Sequence, residues 1–257
     1  MSNTYVGWQN AIKTGTLVAS SSASGMSIQS LQKDIGASAV AWQTVAGVTA
    51  ATFTCTLTTI GLFRVFGLFR TNLTSSATVV FKVYSGATLV WTSATVSPVS
   101  GYGQTVAVAA TDQAGDSVQV SIADAANPDG FLNVSLAYAG PAWNPLSAPS
   151  WASAVGRDDS VSEVVSRGGQ EYPIPLWNRR RWVVDFQRIR ATEVWPQAAE
   201  LDRASRAGGN VLFLPDSTSA YLQREAIFGR LKATADIAYP YQAADARSWK
   251  ASITERL

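Results

Sequence analysis

The most pointed chemistry-bearing cluster in the chain is Arg179-Arg180-Arg181, set between Trp177 and Trp182. Guanidinium groups beside indoles can grip a nucleic-acid backbone by charge and stacking. They can also anchor a protein–protein contact, where Arg and Trp are the favoured residues, or sit as a solvated strand end. Nearby Glu171 and Asp185, and an overall balance of 20 Lys+Arg against 18 Asp+Glu, argue against nucleic acid held by bulk charge or read by sequence. Trp177, Arg179, Arg180 and Arg181 are therefore read as a partner interface, with the solvated strand end as the plainer alternative.

Other routes to chemistry narrow quickly. The chain has no histidine, which removes His-dependent triads, His-ligated zinc and His acid–base catalysis. One cysteine, Cys55, excludes an internal disulfide and a Cys-cluster metal site, and it reads as a small buried hydrophobe. Asp158 and Asp159 are adjacent, so in an extended chain they point to opposite faces and suit turn or cap roles. Asp112, Asp116, Asp124 and Asp129 fall near strand ends, without the spacing of a calcium loop. Asp185 and Glu193 flank a strand–helix turn, where ion pairs with local arginines are the simpler role. Any two carboxylates can meet in a fold, so a glycosidase pair stays formally open. Arg206-Ala207-Gly208-Gly209-Asn210 closes a helix rather than opening one and lacks the dipole end a phosphate needs. No catalysis, metal or cofactor is expected. Of the nine tryptophans, Trp143 and Trp151 lie in a Pro-rich stretch, where an indole either buries against a partner or offers a stacking platform to a sugar.

The elements that must position these residues divide into two groups. Residues 1–145 carry five Lys/Arg and five Asp with no Glu, whereas the remainder is far denser in charge. The change coincides with Pro141-Ala142-Trp143-Asn144-Pro145-Leu146-Ser147-Ala148-Pro149, whose prolines favour an extended linker. The expected organisation is an N-terminal arm or irregular segment (1–37), a β-sandwich (38–140), a Pro-rich linker (141–150) and an α+β domain (151–257).

In the first group, Phe53/Cys55/Leu57, Val106/Val108, Val118/Val120/Ile122 and Leu132/Val134/Leu136/Tyr138 alternate with period two. Gly61 to Arg70 is dense enough in apolar residues to be buried on both faces. Turn residues at Asp112–Asp116 and Asn127–Gly130 separate these runs, as in an antiparallel sandwich or jelly roll. In the second group, Val161–Ile174 reads as a hairpin across Gly168-Gly169, and Arg181–Phe186 as a strand. Residues 192–207 read as a helix, with Thr192 as N-cap and Val194, Ala198, Leu201 and Ser205 on its buried face. Val211–Leu214, Ile227–Tyr239 and Trp249–Thr254 follow as strands, giving a sheet or small barrel with one helix against it. The fold class expected is mainly β. No basic-then-apolar leader and no run of apolar residues long enough to span a membrane is visible.

The second half, with RRRWVVDFQRI, ATEVW, GGNVLFLPD, AIFGRLKATADIAYPY and SITERL, resembles tail proteins of long-tailed bacteriophages, the distal tail family most closely. The first half, with GLFRVFGLFRTNLTSSATVVFKVYSG and Asn72–Ala77, resembles the jelly-roll, galactose-binding-like modules attached to such proteins. The order of the two parts is reversed relative to that family, which leaves open a terminator, tube-like or fibre-adaptor position. The resemblance implies a virion component assembled in the host cytoplasm. It implies a homo-oligomeric ring, a hexamer or a trimer, between tail tube and baseplate or fibres. Its partners would be itself, other tail and baseplate proteins and a host-surface glycan. A non-catalytic carbohydrate-binding module is the rival expectation.

Overall fold

The computed structural model describes residues 3–150, 152–238 and 246–256. In chain order the strands are β1 (Tyr5–Gly7), β2 (Thr16–Ala19), β3 (Trp42–Gln43), β4 (Ala50–Thr71), β5 (Thr78–Ser85), β6 (Thr88–Thr92), β7 (Thr105–Ala123), β8 (Asn133–Gly140), β9 (Ala154–Val165), β10 (Glu171–Arg190), β11 (Asn210–Leu214), β12 (Ile227–Ala233) and β13 (Ala246–Glu255). They form two antiparallel sheets. One has the order β3-β8-β4-β7-β5-β6 with β2 on β4, and the other β1-β11-β12-β13-β10-β9. The protein is mainly β, a sandwich followed by a smaller α+β unit.

Two very long strands, β4 and β7, run through the whole sandwich and change register between Thr56 and Gly61 and between Phe63 and Val65. Such bulges bend a strand and let it serve two layers. The dense run Gly61–Arg70 is buried on both faces from Val65 to Phe69, whereas Leu62 at its start is exposed. Phe63, Phe66 and Leu68 face the sandwich core, while Val65 and Phe69 face the other way into a second apolar layer. That second layer also contains Tyr5, Tyr138, Leu212 and Phe228, so it lies between the two sheets. Phe228 packs at 4.9 Å from Phe69 and 5.8 Å from Tyr138, ring centre to ring centre.

The N-terminal segment differs from its expected irregular form. β1 pairs with β11 and completes the second sheet, while β2 pairs with β4 in the first. Short 3-10 turns at Ala11–Lys13 and Ile28–Gln32 place Ile12, Ile28 and Leu31 in the sandwich core. Three- and four-residue strands are too short to show a period, which is why this packing was not legible in the pattern. The Pro-rich stretch is held as well: Val6 and Trp143 exchange two backbone hydrogen bonds of 2.8 Å.

The helical segment runs as α1 (Ala191–Glu193), a π-turn (Val194–Ala199) and α2 (Glu200–Arg206). The wider π-turn accommodates Pro196, which an α-helix would exclude there. Val194, Ala198, Leu201 and Ser205 are buried, as their spacing predicts. The cap is not Thr192 but Arg190, whose backbone N–H donates to the Glu193 carboxylate. The last short helix is α3 (Leu222–Glu225).

Candidate functional site

The arginine cluster lies on β10, where the side chains alternate between faces. Arg180 points inward and is largely covered by the fold. Its Nε and Nη2 donate to the two carboxylate oxygens of Glu255 at 3.0 and 2.6 Å. Its Nη1 donates to the carbonyls of Arg224 and Ala226 at 2.6 and 3.1 Å, and Nη2 also reaches Gln104 Oε1 at 2.8 Å. The guanidinium therefore clamps β10 and β13 to α3 and to the segment entering β7. It was expected at a partner interface and serves instead as an internal clasp, because it follows the inward-facing alternation of the strand. Arg179 and Arg181 face the other way. Both approach Asp158 on β9, at 3.9 and 3.0 Å, and Arg179 lies 4.4 Å over the ring of Trp177. Trp177, Arg179 and Arg181 thus form one partly exposed basic-aromatic strip.

The two candidate stacking tryptophans separate. Trp143 is only 7 % exposed. Its ring packs 5.5 Å from Phe186 and its Nε1–H donates to Glu193 Oε1 at 3.1 Å. It staples the Pro-rich stretch to the second core and leaves no open ring for a sugar. Trp151 lies outside the described residues. Cys55 is buried against the turn that leads into β2, its thiol 3.5 Å from the Ala11 carbonyl, and burial pushes that thiol up to about 11. Among the described residues no group of three or more His, Cys, Asp or Glu could hold a metal ion. Asp124, buried at a sandwich corner, is occupied by Thr74 (N–H 2.8 Å, hydroxyl 2.6 Å) and by Asn127 Nδ2 at 3.1 Å. The Asn72–Ala77 segment is thereby fixed as a structural corner.

Strip and Arg180 sit at the root of a long arm. Register with β13 begins at Arg181, so among the described residues Glu171–Arg180 pairs with β9 alone. The resulting two-stranded ribbon carries large apolar side chains on both faces: Val161 and Val165 on one, Val164, Tyr172 and Ile174 on the other, all exposed. Leu176, the extra residue at a bulge between Pro175 and Trp177, is 60 % exposed. The sequence marked the hairpin but not its isolation, which depends on where β13 ends. Trp195, 63 % exposed in the π-turn, is a second apolar surface residue that periodicity did not single out.

A cleft of about 1020 Å³ opens between the end of the sandwich and the arm's root. Tyr102, Arg70, Asn72, Asn178, Arg180 and Glu255 are among its walls. Arg70 is the one non-glycine among the described residues with positive φ (56°), so the backbone at this wall is strained.

The fold and this surface define a mainly β protein with a sandwich, an α+β unit and a projecting β-arm. No family model and no curated protein matches the chain. Among solved structures it is similar to a fucose-binding module of Streptococcus pneumoniae, at 12 % identity over 52 % of this chain and 96 % of that one, with a TM-score of 0.42. It is similar to chitosan-binding module 1 from a chitosanase/glucanase of Paenibacillus sp. IK-5, at 17 % identity over 52 % and 99 %, TM-score 0.42. It is also similar to the family 32 carbohydrate-binding module of NanJ from C. perfringens, at 11 % identity over 52 % and 98 %, TM-score 0.43. At these scores the likeness carries no inference about what this chain binds.

Proposed function

We propose that this chain is a non-catalytic structural subunit that assembles with copies of itself through the β9–β10 arm. The observation that supports this most is the arm's composition. A two-stranded ribbon alone is marginal in water, and this one exposes valine on both faces, with tyrosine, isoleucine and tryptophan added on one and leucine at the bulge. Burying one such side chain fully is worth about 1.5–3 kcal/mol, so several together suffice for a stable contact. The finer role, a bacteriophage tail component in a ring joining the tube to the baseplate or fibres, rests on the resemblance of the second half to distal tail proteins. The test is the solution mass of the wild-type chain beside that of Ile174→Ser/Leu176→Ser. An assembled wild type and a folded, monomeric double variant support the reading. A monomeric wild type contradicts it.

A second reading has its own observation. The cleft with Tyr102, its amide and charged side chains and the strained Arg70 suits a polyhydroxylated ligand, for which aromatic and polar groups together are the usual lining. Tryptophan and tyrosine emission titrated with fucose, galactose and chitosan oligosaccharides, compared between wild type and Tyr102→Ala, tests it. No change in the wild type overturns it.

A further inference from the structure

We infer that β9 pairs edge to edge with β9 of a second copy, antiparallel about a two-fold axis at Ser160, and this inference rests on the assembly reading above. Among the described residues β9 is the last strand of its sheet, so one of its edges has no partner there. Hydrogen-bond direction identifies which residues line it. Ser166 N–H donates to the Gln170 carbonyl, and the pairing Tyr172↔Val164, Ile174↔Ser162 continues from it with period two. Beyond the bulge, Ser150 N–H donates to the Asp185 carbonyl, Asp185 N–H to Ser153 Oγ and Arg180 N–H to Glu255. Odd-numbered residues of β10 there face β9, so their even-numbered partners on β9 face inward. Both ends of the ladder agree: the even residues of β9 bond β10, and the odd residues from Val155 to Val165 turn their N–H and C=O outward.

The other edge of the arm is guarded. Pro173 and Pro175 stand opposite Glu163 and Val161, positions whose backbone nitrogens point away from β9. They remove two donors from the outer edge of β10 and none from the hairpin itself, the usual device against unwanted strand addition. β9 has no proline in its twelve residues. One edge of the arm is thus closed to pairing and the other left open.

Side-chain order selects the occupant. Outward-facing residues must meet outward-facing residues, so registers differ in steps of two. With the axis at Ser160, Val155 meets Val165, Arg157 meets Glu163 and Asp159 meets Val161 of the second copy, each pair occurring twice. Nearly the full strand is used and no like charges stand directly opposite. Moving the register one step either way sets Asp159 against Asp159 or against Glu163 of the second copy, which is unfavourable. The strand is therefore complementary to itself. A pairing of this kind is isologous. A hexamer built as three pairs contains it, and a simple trimer does not.

The experiment uses the full chain with Ser160→Cys under mild oxidation. Ser160 would lie opposite its own mate, within disulfide reach, whereas Ser162 would lie about 13 Å from its mate, far beyond it. Expected is a disulfide-linked dimer for Ser160→Cys, formed at least about tenfold faster than for Ser162→Cys, and its loss on adding Glu163→Pro. Glu163→Pro deletes only an outward N–H, and circular dichroism verifies that the variant stays folded. In the wild-type background, Arg157→Glu and Glu163→Arg should each weaken association about tenfold, and the two together restore it. Equal or absent cross-linking at the two positions, in a wild type that assembles and in which Ile174→Ser/Leu176→Ser prevents assembly, overturns the strand pairing and leaves the assembly reading standing. A wild type that is monomeric at every concentration overturns both.

Discussion

Replacing Arg180 by alanine should cost the fold about 3 kcal/mol. The two side chains of its ion pair are 12 % and 16 % exposed, so Glu255 would remain a largely desolvated carboxylate without its fork. Breaking a buried pair from one side typically costs about 3–5 kcal/mol, and residual exposure brings that down to about 2. Gln104 Oε1 and the carbonyls of Arg224 and Ala226 also lose their donor, adding about 1 kcal/mol in all. The assay is equilibrium urea unfolding followed by tryptophan emission, with Arg180→Lys as companion. Lysine keeps the charge but not the fork and should fall between wild type and alanine. For a chain of this size the alanine variant should melt roughly 6–12 °C lower. A loss under about 1 kcal/mol, or a lysine variant no better than alanine, would refute the clasp and return Arg180 to the surface strip. The same curves report on the two sheets. The apolar layer of Phe69, Tyr138 and Phe228 between them predicts one transition rather than two.

Three further outcomes are expected. Trp143→Ala should destabilise by about 3–5 kcal/mol, as loss of a buried indole does, without altering any sugar titration; an unchanged urea midpoint would contradict its burial. Burial raises the Cys55 thiol to about 11 from an ordinary value near 9, so the folded state holds that proton more tightly than the unfolded chain. That stability, about 3 kcal/mol, is fully present below pH 9 and is lost as pH rises toward 11. Urea midpoints that fall equally for wild type and Cys55→Ala over that window would exclude it, as would prompt labelling of the thiol at pH 8 in the folded protein. Gly229 lies against the Thr254 carbonyl oxygen across β12 and β13, with no room for a Cβ. Gly229→Ala should therefore cost about 3 kcal/mol or more, read as loss of soluble protein or a lowered melting temperature.

Much of the architecture was legible because its strands are long and alternate. Thr52–Leu57 and Val118–Ile122 lie in strands with the buried sets their period implies, and the Gly168-Gly169 hairpin pairs as read. Leu132–Tyr138 does not keep one buried face: Leu132 and Val134 enter the sandwich core with Ala137 and Ala139, whereas Leu136 and Tyr138 enter the layer between the sheets. The density of Gly61–Arg70 gave the two-sided burial for Val65–Phe69 but not for the exposed Leu62, nor that the second face meets Phe228 in the other sheet. What stayed hidden was non-local. β1 closes a sheet more than two hundred residues away in the chain, and three residues carry no period. Arg180 differs from Arg179 and Arg181 only in strand parity, and a triplet of identical residues does not show which of its members faces inward. Trp143 looked exposed because prolines flank it, yet Val6 and Glu193 hold it in place. The arm's open edge was implicit in the spacing of Pro173 and Pro175, but it became readable only with the hydrogen-bond register.

The most direct measurement is the mass of the wild-type chain by sedimentation equilibrium over a wide concentration range, beside Ile174→Ser/Leu176→Ser. The wild type is expected at an even multiple of 27.3 kDa and the variant as a folded monomer. A single species of 27.3 kDa for both, at every concentration, would contradict it.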